Sequence, residues 1–94
     1  MPDHTTEFQS TFRQLVRCSQ VAKDFAQWLA KRSYGTTRTK VRVASQNTGA
    51  EYGEIVALFK LLGTLGFGKF VKGSHGHESH MVWATDIKSL AQGA

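Results

Sequence analysis

The sequence predicts a single α+β domain in which helices precede a short antiparallel hairpin. Three observations carry this. Glu51 to Leu65 holds Ile55, Leu58, Leu62 and Leu65 at helical spacing. Gly66 and Gly68 then break the pattern, and Phe67, Phe70 and Val71 resume it with the composition of a strand. A polar stretch from Gly73 to His80 separates that segment from Met81-Val82-Trp83, which reads as the returning strand.

The bulk numbers agree with one small domain, taken as residues 1–94. A hydrophobic content of 40%, with 11% aromatic residues, is enough to build a core and argues against intrinsic disorder. No run of about 18 apolar residues occurs, so no membrane-spanning helix is expected. Met1 to Thr6 lacks the basic and apolar regions of a signal peptide, which makes the cytoplasm the expected compartment. The single cysteine, Cys18, cannot form an internal disulfide and reads as a structural thiol.

Met1 to Thr5 is expected to be a disordered tail. Thr6 and Gln9 then suit a capping box. The first helix runs to about Arg32, with Phe8, Phe12, Leu15, Val16, Ala22, Phe25, Trp28 and Leu29 on one broad face. That is long for a globular helix, so a break near Ser19-Gln20 is foreseen. Lys31 and Arg32 suit a helix C-terminus, and Gly35 can end it. Phe8, Phe12 and Phe25 are read chiefly as core, with a dimer face as the alternative. Ser33 to Thr39 reads as a loop whose threonines offer caps. Lys40 to Thr48 is ambiguous, because its Thr and Val content suits a strand and its spacing also suits a short helix. Gly49 to Leu65 reads as a helix, Phe67 to Lys72 and Met81 to Ala84 as strands. Thr85-Asp86 caps a last helix holding Ile87, Leu90 and Ala91. Trp28 is assigned to the core and Trp83 to the hairpin base.

Ser45, Gly49, Ile55 and Leu58 add a steric pattern. A small residue lets two helices cross closely, and a glycine four residues later turns the chain. Two aliphatics beyond it clamp the second helix to the first. This spacing favours a helix over Lys40 to Thr48. With the hairpin behind it, the segment from Thr37 to Ala84 resembles the winged helix-turn-helix superfamily. The resemblance implies a two- to three-stranded antiparallel wing, which would follow the long N-terminal helix read above. More narrowly, Phe59-Lys60, Leu65-Gly66, Gly68, Phe70, Gly73, Gly76, His77, Ser79 and Trp83 resemble a group of small bacterial winged-helix proteins of unassigned function. This chain departs from that group at Ser74, His75 and His80, where basic residues are usual.

Charge supplies the functional expectation. The formal net charge is +5, and it is clustered. Lys31, Arg32, Arg38, Lys40 and Arg42 share a window with no acid, and Gly63 to His77 holds Lys69 and Lys72 with no acid. Such clusters suit a polyanion. The resemblance implies double-stranded DNA, with the helix after Gly49 in the major groove. Yet that helix should present Glu51, Tyr52, Glu54, Ala57 and Lys60, with none of the usual base readers. The expected contacts are therefore to phosphate, from Arg38, Lys40, Arg42, Lys60, Lys69, Lys72, His75, His77 and His80, with Tyr52 placed either to stack on a sugar or base or to close over the turn. If Glu51, Glu54 and Glu78 interrupt this basic face, a protein partner becomes the better reading.

His75, His77 and His80 could surround a metal, but a solvated turn is the preferred reading, and no cofactor or metal is expected. Leu61-Leu62, Gly66-Phe67 and Gly73-Ser74-His75 also resemble the core of HicA-type toxin ribonucleases, which implies a catalytic role for His75. That family continues with a third strand bearing Pro-His, and no proline follows Pro2 here. The leading expectation is a non-catalytic, DNA-binding regulator of transcription from a bacterium or mobile element. It would act as a homodimer or with a protein partner, and without a membrane.

Overall fold

A computed structural model describes residues 4–32, 37–74 and 78–94. The elements run α1 (His4–Cys18), α2 (Gln20–Ala30), β1 (Arg38–Lys40), α3 (Val41–Thr48), α4 (Tyr52–Thr64), β2 (Gly68–Val71), β3 (His80–Trp83) and α5 (Ile87–Gln92). The fold is α+β, with helices packed on one face of a three-stranded antiparallel sheet of order β1-β3-β2. This arrangement is compatible with a winged helix.

The foreseen break in the first helix falls at Ser19. Its backbone is extended (φ −134°, ψ 121°), and its hydroxyl accepts from the Ala22 N–H at 3.2 Å. A residue that caps cannot also continue the helix behind it. The N-terminal boundary needs correction. α1 is already helical at His4, so residues 4 and 5 do not belong to the tail and Thr6 lies inside the first turns. Tertiary packing extends the helix beyond its local cap signal. Phe8 and Phe12 dock on Phe67, with ring centroids 5.0 and 5.8 Å apart. Residues 1–3 and the expected terminator Gly35 lie outside the described residues.

The loop expected over Ser33 to Thr39 ends early, because Arg38 and Thr39 belong to β1. This strand exists through its partner: Arg38, Thr39 and Lys40 pair with Val82, Met81 and His80. Thr39 is buried, and its hydroxyl accepts from the Trp83 indole N–H at 2.9 Å. The ambiguous segment resolves as a strand ending at Lys40 and a helix starting at Val41. Gly49 closes α3 at φ 79°, a left-handed value that favours glycine. The Ser45 hydroxyl donates to the Ala50 carbonyl at 2.6 Å and fixes the turn. α4 starts at Tyr52 rather than Gly49, because Gly49 terminates α3. The Glu54 carboxylate reaches back to the Glu51 N–H at 3.2 Å.

The core differs from the expected apolar stripe at one end. Ile55, Leu58 and Leu62 are buried, but Leu65 is 40% exposed and Phe59 is fully buried instead. Phe59 meets Phe25 at 5.4 Å and Trp83 at 5.7 Å, both edge-to-face. Such pairs contribute about 0.5–1.5 kcal/mol each beyond area burial. They tie α2, α4 and β3 into one core. Phe12 and Phe25 are buried and Phe8 is half-buried, so these rings pack chiefly in the core. Trp83 covers the hairpin base as expected. Trp28 is half-buried against the core, with the Arg32 guanidinium 4.7 Å from its ring centroid. Cys18 is exposed, which corrects its reading as a structural thiol.

β2 and β3 are each displaced slightly from their expected bounds. Phe67 belongs to the turn, because its N–H bonds to the Leu62 carbonyl at 3.0 Å. His80 joins β3 by pairing with both Lys40 and Val71. Gly68 is required by crowding, since a Cβ there would collide with the Val82 carbonyl oxygen. Asp86 caps α5, its carboxylate accepting from the Ser89 N–H at 3.3 Å. Ile87, Leu90 and Ala91 are buried as read from the sequence. Among the described residues, no helix is long and apolar enough to cross a membrane.

Candidate functional site

The sheet sorts the basic residues. Directly opposed residues in an antiparallel sheet point to the same side, and successive residues alternate. One row reads Arg38, Val82, Lys69, and the next reads Lys40, His80, Val71. Between them, Thr39, Met81 and Phe70 point the other way, into the core. The outward face therefore gathers Arg38, Lys40, Lys69 and His80 with Val71 and Val82. Arg38 and Lys40 line one edge, Lys69 and Val71 the other, and half-buried Val82 and His80 lie between them. These residues come from two clusters separated in sequence, and only β3 pairing brings them together.

Arg42 extends this face. It lies in the first turn of α3, one residue past the end of β1, and its side chain is 65% exposed. Lys40 is both the last residue of β1 and the N-cap of α3, so no loop separates the sheet from the helix. Lys72 is exposed just beyond β2. His75 and His77 lie outside the described residues, and so does the assembly of the three-histidine tip.

The remaining cations go elsewhere. Lys31 and Arg32 sit at the end of α2, where they line a shallow cleft with Asp24, Gln27, Trp28, Asn47 and Thr48. Asn47 and Thr48 end α3, so this cleft lies at the opposite end of that helix from Arg42. The acid-free window of five cations thus divides between two places. Lys60 is exposed on α4, its ammonium 5.9 Å from the Phe70 ring centroid.

The exposed side of α4 is as the sequence foresaw. Glu51, Tyr52, Glu54, Ala57 and Lys60 all face solvent. Leu61 and Leu65 join them, so the exposed large hydrophobics among the described residues all fall on or beside α4. Ala57 and Leu61 border an apolar groove completed by Leu15, Ser19, Val21, Glu54 and Leu58.

Glu78 is the residue whose role the sequence did not resolve. Its carboxylate lies 2.5 Å from an Arg42 guanidinium nitrogen and 3.4 Å from the Lys40 ammonium. Backbone bonds place it there. The Val41 N–H donates to the Ser79 carbonyl at 3.0 Å, and the Gly73 N–H donates to the Ser79 hydroxyl at 2.8 Å. A carboxylate beside the start of α3 also suits the helix dipole. Proximity of Glu78 to the histidines was visible in the sequence, but its pairing with distant cations depends on the fold. Among the described residues, no group of three His, Cys, Asp or Glu side chains is placed to hold a metal ion.

No family model, curated protein or solved structure matches the chain.

Proposed function

We propose that this protein is a non-catalytic nucleic-acid-binding domain of the winged-helix type that holds duplex DNA by its phosphates. The observation that carries the reading is the outward sheet face, where Arg38, Lys40, Lys69 and His80 converge from three strands, with Arg42 at its margin. Cations on a rigid sheet can meet successive phosphates without much ordering cost. Base-specific readout by α4 has little support, since its exposed side carries Glu51, Glu54 and apolar residues. Tyr52 and Lys60 are accessible but belong to that second surface. The role is that of a small regulator that needs a partner, or a second copy, to choose its site.

The test is fluorescence polarisation with a mixed-sequence duplex between 50 and 200 mM salt. Each phosphate contact should steepen the fall of log affinity with log salt by about 0.9. Binding that ignores salt, or no binding at the lowest salt, would overturn the reading.

Two observations favour a second reading, a protein-binding winged helix: Glu78 interrupts the basic face by pairing with Lys40 and Arg42, and α4 displays apolar side chains. Tyr52 is 48%, Leu61 42% and Leu65 40% exposed, an apolar display that suits a protein surface better than a DNA groove. The ribonuclease reading gains no comparable support. Its His75 lies outside the described residues, and the third strand, β1, precedes the hairpin in the chain.

A further inference from the structure

The pairing of Glu78 with Arg42 and Lys40 places a carboxylate inside the proposed phosphate-binding surface. Three features of that placement matter. First, the carboxylate bridges two cations that belong to different elements, the end of β1 and the first turn of α3. A phosphate oxygen seated between them would make the same two contacts. Second, the partners are unequally exposed. The Glu78 side chain is 28% exposed, against 57% for Lys40 and 65% for Arg42. The cations therefore face solvent with the carboxylate partly behind them, and an incoming anion can reach them. Third, ion pairs at this exposure contribute little to stability. The fold already holds this corner by the Val41–Ser79 and Gly73–Ser79 hydrogen bonds.

We infer that Glu78 is an internal competitor for the polyanion. It occupies the phosphate position between Lys40 and Arg42, so that binding must displace it. The inference rests on the nucleic-acid reading above. It implies that native affinity is set below what the cations could deliver, and that the open face of Arg38 and Lys69 makes first contact. It also gives a physical form to the interruption of the basic face that the sequence allowed Glu78 to make.

The experiment compares the native chain with Glu78→Gln, which keeps the side-chain shape and removes the charge. Glu54→Gln is the charge control, because it makes the same change in net charge on α4 and retains an amide able to cap the helix. Binding to a mixed-sequence duplex is followed by fluorescence polarisation from 50 to 200 mM salt. Glu78→Gln should tighten binding about five- to tenfold at the lowest salt. Glu54→Gln should shift affinity less than about twofold, as expected of a distant, screened charge. Adding Lys40→Ala and Arg42→Ala to Glu78→Gln should abolish the gain.

Native binding with an unchanged or weakened Glu78→Gln would overturn the inference and leave the nucleic-acid reading standing. Equal gains from Glu78→Gln and Glu54→Gln would also overturn it, by showing a general charge effect. Absence of binding by both the native chain and Glu78→Gln would overturn the nucleic-acid reading itself, and the inference with it.

Discussion

The outward face of the sheet and the outward side of α4 are both exposed, yet they are built on opposite chemistry. The sheet presents Arg38, Lys40, Lys69 and His80 with Val71 and Val82. The helix presents Glu51 and Glu54 at its start, then Ala57, Lys60, Leu61 and Leu65. In a winged helix, α4 would be the reading element and the sheet an accessory. The proposed phosphate contact reverses those weights. The difference teaches that placing a helix in a motif does not give it the motif's function, because the side chains at its surface decide what it can touch.

The comparison breaks most directly by removing the sheet charges. Replacing Arg38, Lys40 and Lys69 together with alanine should lower duplex affinity at least about 100-fold at low salt and flatten the salt slope by about 2.7. Polarisation titrations would show this, and an affinity within threefold of native would return the contact to α4. Next in size is a stability effect. Gly49→Ala forces a left-handed residue where α3 meets α4, and should cost about 1 kcal/mol in a urea melt. If the sheet is the binding surface, the salt slope measured well below the melting temperature should remain native. Tyr52→Ala with Lys60→Ala should weaken duplex binding by less than about threefold, the size of a peripheral, screened contact. A larger loss would place α4 in the complex. Smallest of all, Leu61→Gln should change monomer stability by less than about 0.5 kcal/mol, as a surface substitution. A shift in sedimentation or a marked loss of stability would identify the α4 groove as a covered interface.

Much of the fold was legible in short stretches of sequence. Ser19 marks a break because its hydroxyl competes for the next helix's N–H groups. Ser45, Gly49, Ile55 and Leu58 carry α3 and α4, since a turn requiring φ 79° leaves a glycine at a fixed offset. Asp86 announces α5 in the same way. What could not be read locally depends on remote partners. β1 is only three residues long, and it is a strand because β3 pairs with it. Phe59 falls outside the stripe of Ile55, Leu58 and Leu62, and its burial is set by Phe25 and Trp83. The same limit applies to the candidate site. The basic residues were named from composition, but their division between the sheet and the end of α2 required topology. Glu78 joined the site only when folding brought it to Arg42 and Lys40.

Among the described residues, the sheet order β1-β3-β2 leaves β1 and β2 as edge strands of three and four residues. Open edges invite strand addition by other chains, and short strands bearing lysine and arginine discourage it. Arg38 and Lys40 lie on one edge strand and Lys69 on the other. The same charges are of the kind that discourages pairing between like chains. Stripping them would bare two unguarded edges, so the triple alanine variant should aggregate at concentrations where the native chain stays dispersed. A gain in light scattering at constant helix content would identify these residues as gatekeepers of solubility, whatever they bind.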